Sequence, residues 1–150
     1  MKVYIAADHA GFYLKKQLIQ YLELKGYEAV DCGAFEMNEE DDYPDFCADC
    51  ARKVSGSKED VGIVIGGSGN GEAIVANKIK GIRAAVYNSG KSEIAKLAKV
   101  HNNANVLSLG ARFITPEEAK RAVTAWLEAE FEAGRHQRRI DKIADIEKEN

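Results

Sequence analysis

Apolar residues recur along this 150-residue chain in two alternating rhythms. Short, nearly continuous apolar runs occur at residues 2–8 (KVYIAAD), 27–33 (YEAVDCG), 61–67 (VGIVIGG), 82–88 (IRAAVYN) and 104–111 (ANVLSLGA). Their length and β-branched content predict strands, and the run at 61–67, bounded by glycine, predicts the central one. Between these runs, apolar positions fall three or four apart among charges. Leu14, Leu18 and Leu22 mark a helix that Gly26 closes, and Ile94, Leu97 and Ala98 mark another over 91–102. Residues 71–79 predict a short helix, and Asp45 is a suitable cap for one running to about Val54. Thr115-Pro116-Glu117-Glu118 combines a cap, a proline at the first helical position and first-turn acids, which predicts a helix to about Ala133. After Gly134, the three-residue spacing of Ile140, Ile143 and Ile146 predicts a weaker last helix or arm over 135–150.

Five strands alternating with helices through short loops predict one α/β domain over 1–150, with a parallel sheet covered on both faces. Ligands of such sheets sit beyond the carboxyl ends of the strands, near the switch in strand order. Those ends carry Asp8 and His9, a glycine loop at 66–71, Asn88 and Ser89, and residues 110–112.

Composition changes this picture little. Hydrophobic residues make up 45% and charged residues 30%, with a formal charge of -3, so no strong basic field argues for nucleic acid. No apolar run approaches the ~18–20 residues of a membrane span. Lys2 runs straight into a strand and Asp8, unlike a signal peptide. Cys32, Cys47 and Cys50 are an odd number of cysteines, read as reduced thiols in the cytoplasm.

The candidate chemistry starts in GGSGNGE, residues 66–72. It is neither a phosphate-binding G-x-x-x-x-G-K-[ST] loop nor G-x-G-x-x-G, because Gly67, Gly69 and Gly71 are spaced two and two and Glu72 follows. A tight turn with positive φ is the plain alternative. The functional reading is a nest of backbone N–H groups at a helix start, aimed at negative charge. Glu72 can then act as a base on a substrate whose developing oxyanion those groups hold; alternatively it is a first-turn acid that suits the helix dipole.

Asp8 and His9, side by side at the end of a strand, suit a site better than a loop cap. His101 ends a helix just before strand five, where a cation is favoured, and Asn102 and Asn103 are either caps or ligand contacts. Glu72, His101 and Asp8 are all read as falling at the carboxyl edge. Arg135 and Arg139, four apart in GRHQRRI, suit a phosphate monoester or a solvated basic face, and Arg112 is a further candidate. His136 is read as surface, Trp126 as core, and the acids at 39–42 as a solvated loop. Cys47-x-x-Cys50 lies inside a predicted helix with no second pair, so it reads as buried thiols rather than as zinc or redox ligands.

Taken together, AADHAGFYLK, YPDF, GGSGNGEAIVANKIKGIRAA, HNNANVLSLGARF and GRHQRRI resemble the type B ribose-5-phosphate isomerases, a family shared with the galactose-6-phosphate isomerase subunits. The resemblance covers nearly the whole chain with the motifs in order. It implies a flavodoxin-like three-layer α/β/α sandwich with a five-stranded parallel sheet. It implies a homodimer or tetramer with the site at the subunit interface, and no metal or cofactor. It implies interconversion of an aldose and a ketose phosphate through a cis-enediolate. Carried over by position, Asp8 and His9 bind the sugar and phosphate region. His101 helps open the furanose ring, assisted by Tyr43 or Asp8. Asn102 and the amides around Gly67, Gly69, Asn70 and Gly71 hold the enediolate. Ser68 touches the ring or open chain, and Arg112, Arg135 and Arg139 bind the phosphate. Many members carry a cysteine base where this chain has Gly66; GGSGNGE matches a branch with a glutamate base, Glu72. Allose 6-phosphate and galactose 6-phosphate are alternative substrates. A flavodoxin-like binding module and a Cys47–Cys50 redox protein are alternatives of other classes.

Overall fold

The computed structural model describes residues 1–150. Five parallel strands form one sheet: β1 (Lys2–Ala7), β2 (Glu28–Asp31), β3 (Val61–Gly66), β4 (Ala84–Tyr87) and β5 (Val106–Gly110), in the order β2-β1-β3-β5-β4. Six helices accompany them: α1 (Phe12–Leu24), α2 (Tyr43–Ser55), α3 (Asn70–Ala76), α4 (Glu93–Asn102), α5 (Pro116–Glu128) and α6 (Arg135–Lys148). All five expected strands are present, in the flavodoxin-like arrangement. The last two are exchanged relative to a 2-1-3-4-5 sheet, so β5 lies beside β3.

Successive strand residues point to opposite faces, and the core divides accordingly. Val3, Ile5, Ile63, Ile65, Leu107 and Leu109 pack against α1, α5 and Trp126 on one face. Ala6, Val64 and Val106 pack against Cys47, Cys50, Ala51 and Val54 of α2 and Ala76 of α3 on the other. All six residues of β3 are buried, as a strand covered on both faces requires. Trp126 is fully buried and donates its indole N–H to the Ala104 carbonyl at 3.1 Å. Lys15 is the one lysine buried to 0%; it pairs with Asp31 at 2.7 Å and with the Ala34 carbonyl.

Two boundaries and one burial differ from expectation. α2 begins at Tyr43, with Asp42 at its N-cap and Pro44 in the first turn, where a missing N–H is no loss; Asp45 is a first-turn acid rather than the cap. α5 stops at Glu128 rather than Ala133, because Ala129 is extended and the chain turns so that the Glu132 N–H reaches the Val100 carbonyl at 3.0 Å. This return carries α6 onto α4. The acids at 39–42 are not all solvated: the Asp41 side chain is 7% exposed.

Thr115 forms a complete capping box with Glu118, both bonds being 3.1 Å. Thr115→Ala should cost about 1 kcal/mol and lower Tm by about 2–4 °C, with the far-ultraviolet circular dichroism spectrum unchanged. An unchanged Tm would mean that the cap carries no stability.

Candidate active site

The chain visits β2 on one side of β1 and then crosses to β3 on the other, so the strand order switches between β1 and β3. The turns leaving these two strands meet in a cleft of about 480 Å³ lined by Asp8, His9, Ala10, Tyr43, Gly67, Ser68, Gly71, Glu72, Arg112 and Phe113. The exchanged position of β5 brings in the last two. Its pairing with β3 continues past the strands, with the Ala111 N–H donating to Gly66 at 2.8 Å and the Arg112 N–H to Gly67 at 3.1 Å.

The glycine loop is held from three sides. The Ser108 hydroxyl, fully buried, donates to the Gly69 carbonyl at 2.6 Å, and the Asn88 amide to the Ser68 carbonyl at 3.0 Å. Gly69 has φ +84° and lies so close to β5 that a Cβ would meet the Leu109 carbonyl carbon at 3.0 Å, which excludes any other residue without strain. The Tyr43 ring covers Gly71 closely enough that a Cβ there would be 2.7 Å from it.

Glu72 is 4% exposed. Its carboxylate lies against the bare Cα of Gly66, and a Cβ at residue 66 would fall inside that carboxylate. Glycine at 66 and glutamate at 72 therefore form one arrangement: a cysteine at 66 and this glutamate rotamer exclude each other. Burial pushes the Glu72 carboxyl above the usual range, and the Asp8 charge adds to this, while the N–H groups of Glu72 and Gly69 pull the other way. A carboxylate so raised is a stronger base than one in water.

Asp8 is 6% exposed and caps the short turn His9–Gly11, accepting from the Ala10 N–H at 2.9 Å and the Gly11 N–H at 3.3 Å. His9 Nδ1 lies 2.7 Å from Asp41 Oδ1, and that hydrogen bond, with the Asp8 and Asp41 charges, raises the imidazole pKa.

The remaining expected residues are not at this edge. α4 runs back against the strands, so His101 and Asn102 in its last turn lie at the amino edge, the five residues of β5 away. At ~3.3 Å per residue that is on the order of 15 Å from the cleft. The expectation that Glu72, His101 and Asp8 share the carboxyl edge is corrected: in one chain His101 stands apart. Arg83, just before β4, ties the helix end down by donating to the Asn102 and Asn103 carbonyls at 2.8–3.1 Å, and Asn103, with φ 46°, is the C-cap. α6 brings Arg135 and Arg139 to this same edge, both exposed.

His136 is not surface. It is 5% exposed and stacks on His101 with ring centroids 4.4 Å apart and 17° between planes. Its Nε2 is buried without a hydrogen-bond partner. Burial, then Arg135 and His101, lower its pKa, which favours the neutral ring. Spacing alone hides this, because α6 packs on α4 through the turn after α5.

Two groups of three donors lie within 4.8 Å of one another, His101, Glu132 and His136, and Asp8, His9 and Asp41. In the first group the parallel stacked rings direct their in-plane lone pairs side by side rather than to one point; in the second, His9 Nδ1 and Asp41 Oδ1 are bonded to each other and Asp8 Oδ1 accepts from the Ala10 N–H. The three cysteines are buried and unpaired; burial pushes the Cys47 thiol up, while the contact between Cys32 and Cys50, and then burial, push Cys50 up, and the same contact lowers Cys32.

The fold and cleft define an α/β protein with a buried carboxylate beside a nest of amides, facing an arginine and a histidine at a strand-order switch. Residues 3–143 match the family model described as Ribose/Galactose Isomerase. The chain is 46% identical over 149 residues to ribose-5-phosphate isomerase B of Mycolicibacterium paratuberculosis, covering 99% of this chain and 92% of that protein. The structure of the Mycoplasma genitalium ribose-5-phosphate isomerase B with bound ribulose-5-phosphate superposes with a TM-score of 0.95 at 46% identity, covering 99% of this chain and 97% of that one. That from Clostridium thermocellum gives 0.94 at 45%, covering 99% of both. The chain belongs to the ribose/galactose isomerase family.

The Gly66–Glu72 contact sets an expectation. Gly66→Ala should destabilise by about 1–3 kcal/mol, as overpacking does. Adding Glu72→Ala should return much of that loss, because the clash is with the Glu72 side chain. Additive losses in a denaturant-unfolding cycle would show that the two positions do not share space.

Proposed function

We propose that this protein interconverts ribose 5-phosphate and ribulose 5-phosphate through a cis-enediolate, with Glu72 moving the proton between C2 and C1. The observation that carries this reading is the buried Glu72 carboxylate, with its raised pKa, beside the amides of the glycine loop in one cleft with Asp8, His9, Ser68 and Arg112. In the open-chain aldose, Glu72 takes the C2 proton and the electron pair moves onto the carbonyl oxygen. The N–H groups of Gly67, Gly69, Asn70 and Gly71 lower the energy of the enediolate oxygens as charge develops there. A proton passes from the C2 hydroxyl to the C1 oxygen, the C2–O electrons form the new carbonyl, and Glu72 returns its proton to C1, giving the ketose. Asp8, Ser68 and Tyr43 hold the hydroxyl groups, and His9 and Arg112 meet the anionic end.

The working site takes its other half from a second copy in a homodimer. From the partner, His101 helps open the furanose ring, assisted by Tyr43 or Asp8 of the cleft, Asn102 joins the amides that hold the enediolate, and Arg135 and Arg139 clamp the phosphate. What supports this is that His101, Asn102, Arg135 and Arg139 stand together on α4 and α6, at the edge opposite Glu72, where they cannot reach a sugar phosphate in their own cleft. The buried free thiols suit a reducing cytoplasm.

The direct test is isomerisation of ribose 5-phosphate by the purified protein in a panel with allose and galactose 6-phosphates. General-base catalysis contributes ~10²–10⁴-fold, so Glu72→Gln should lower kcat by about that factor with a far smaller change in KM. Tm at neutral pH should be no lower than wild type, because a neutral side chain replaces a desolvated carboxylate. That advantage should shrink as the pH falls through the raised Glu72 pKa, where wild type binds its proton. In deuterated water the variant should lose exchange at the transferred position. Near wild-type exchange would assign the base elsewhere.

The shared site makes its own prediction. Inactive His101→Ala and Glu72→Gln homodimers, unfolded and refolded together, should regain about a quarter of wild-type activity. Random pairing makes half the dimers mixed, each with one intact site of two. No recovery with mixed dimers confirmed by mass spectrometry would put both residues in one subunit.

A further inference from the structure

Asp41 has no place in the chemistry above, yet it is bound to a residue that does. Its Oδ1 accepts twice from His9, from the backbone N–H at 3.0 Å and from ring Nδ1 at 2.7 Å. The side chain is 7% exposed, and Oδ2 is buried with no partner. A tether alone would need only an acceptor, which an amide supplies. An ionised carboxylate with one oxygen buried and unbonded needs a compensating positive charge, and the group in contact with it is the His9 ring. The charged groups acting on that ring are Asp8, which favours the cation along with Asp41, and Arg112 across the cleft, which opposes it. Glu72 and Tyr43 line the same cleft.

We propose that Asp41 is a positioning residue: it pins the His9 ring by Nδ1 and holds it as the imidazolium, so that Nε2–H is a cationic donor to the phosphate end of the substrate beside Arg112. The inference rests on the isomerase reading and deepens it. Asp41 closes the loop between β2 and α2 immediately before Asp42 and Tyr43, so one carboxylate fixes both the donor and the loop that leads to the Tyr43 cover of Gly71. His9 as a cation then adds to the arginines what a neutral ring could not, a charge-assisted hydrogen bond to an oxyanion.

The test compares wild type, Asp41→Asn, His9→Gln and the double variant. Titration of His9 by nuclear magnetic resonance should place its pKa in wild type above the ordinary ~6.5, and Asp41→Asn should lower it by about one unit or more. At pH 7.5 the variant's KM for ribose 5-phosphate should rise about tenfold with kcat within about threefold. The gap should close near pH 5.5, where His9 is protonated in both. In the His9→Gln background, Asp41→Asn should change KM no further. An active wild type whose His9 titrates at or below the ordinary value overturns the proposal without any variant. So does a KM ratio that is independent of pH, or an equal loss in the His9→Gln background. A wild type that isomerises no sugar phosphate removes the functional reading instead, whatever the His9 titration gives.

Discussion

A carboxyl group kept out of water is the costly feature of this molecule, and much of the surrounding structure follows from holding it. Burial raises the Glu72 pKa, so the charged form is tolerated only while nearby dipoles and a rigid wall remain in place. The wall is Gly66, whose missing side chain is the space the carboxylate occupies. The loop between them cannot relax, because Ser108, Asn88 and the close approach of Gly69 to β5 hold it. Ser108 and the wall against Gly69 belong to β5, beside β3, which is buried along its whole length, and Asn88 follows the edge strand β4.

The same sheet imposes a division of labour. Parallel strands with returning helices put every strand end at one edge and every helix end of α4's type at the other. Residues of both kinds cannot meet within a chain this size. His101, His136, Arg135 and Arg139 form a second assembly at the amino edge, built by α6 folding onto α4. The two-fold pairing of chains proposed above is the simplest operation that would bring one edge to the other.

How much of this was legible in the sequence depended on the range of the interaction. The strands, the amphipathic helices and the Thr115 start rest on periodicity and on contacts within four residues, and they were read closely. The glycine loop and Glu72 are also local, a strand end joined to a helix start. Asp8 beside His9 was legible for the same reason. By contrast, Asp41 is 32 residues from His9 in sequence, and in the string it is one of several acids in a polar loop. His136 sits on the face of α6 that packs, but nothing in GRHQRRI says what lies across from it.

The sequence by itself determined the element types and the parallel sheet, because each follows from spacing and from the chemistry of neighbouring residues, while the glycine at 66 with a glutamate at 72 was legible only through the family resemblance. Only the tertiary structure decided that β5 enters beside β3 and brings Arg112 to the cleft, that His101 and the arginines stand at the opposite edge, and that Asp41 reaches back to His9. Those outcomes depend on strand order and on how the returning helices pack, which are set by the burial of many distant side chains at once and leave no local mark along the chain.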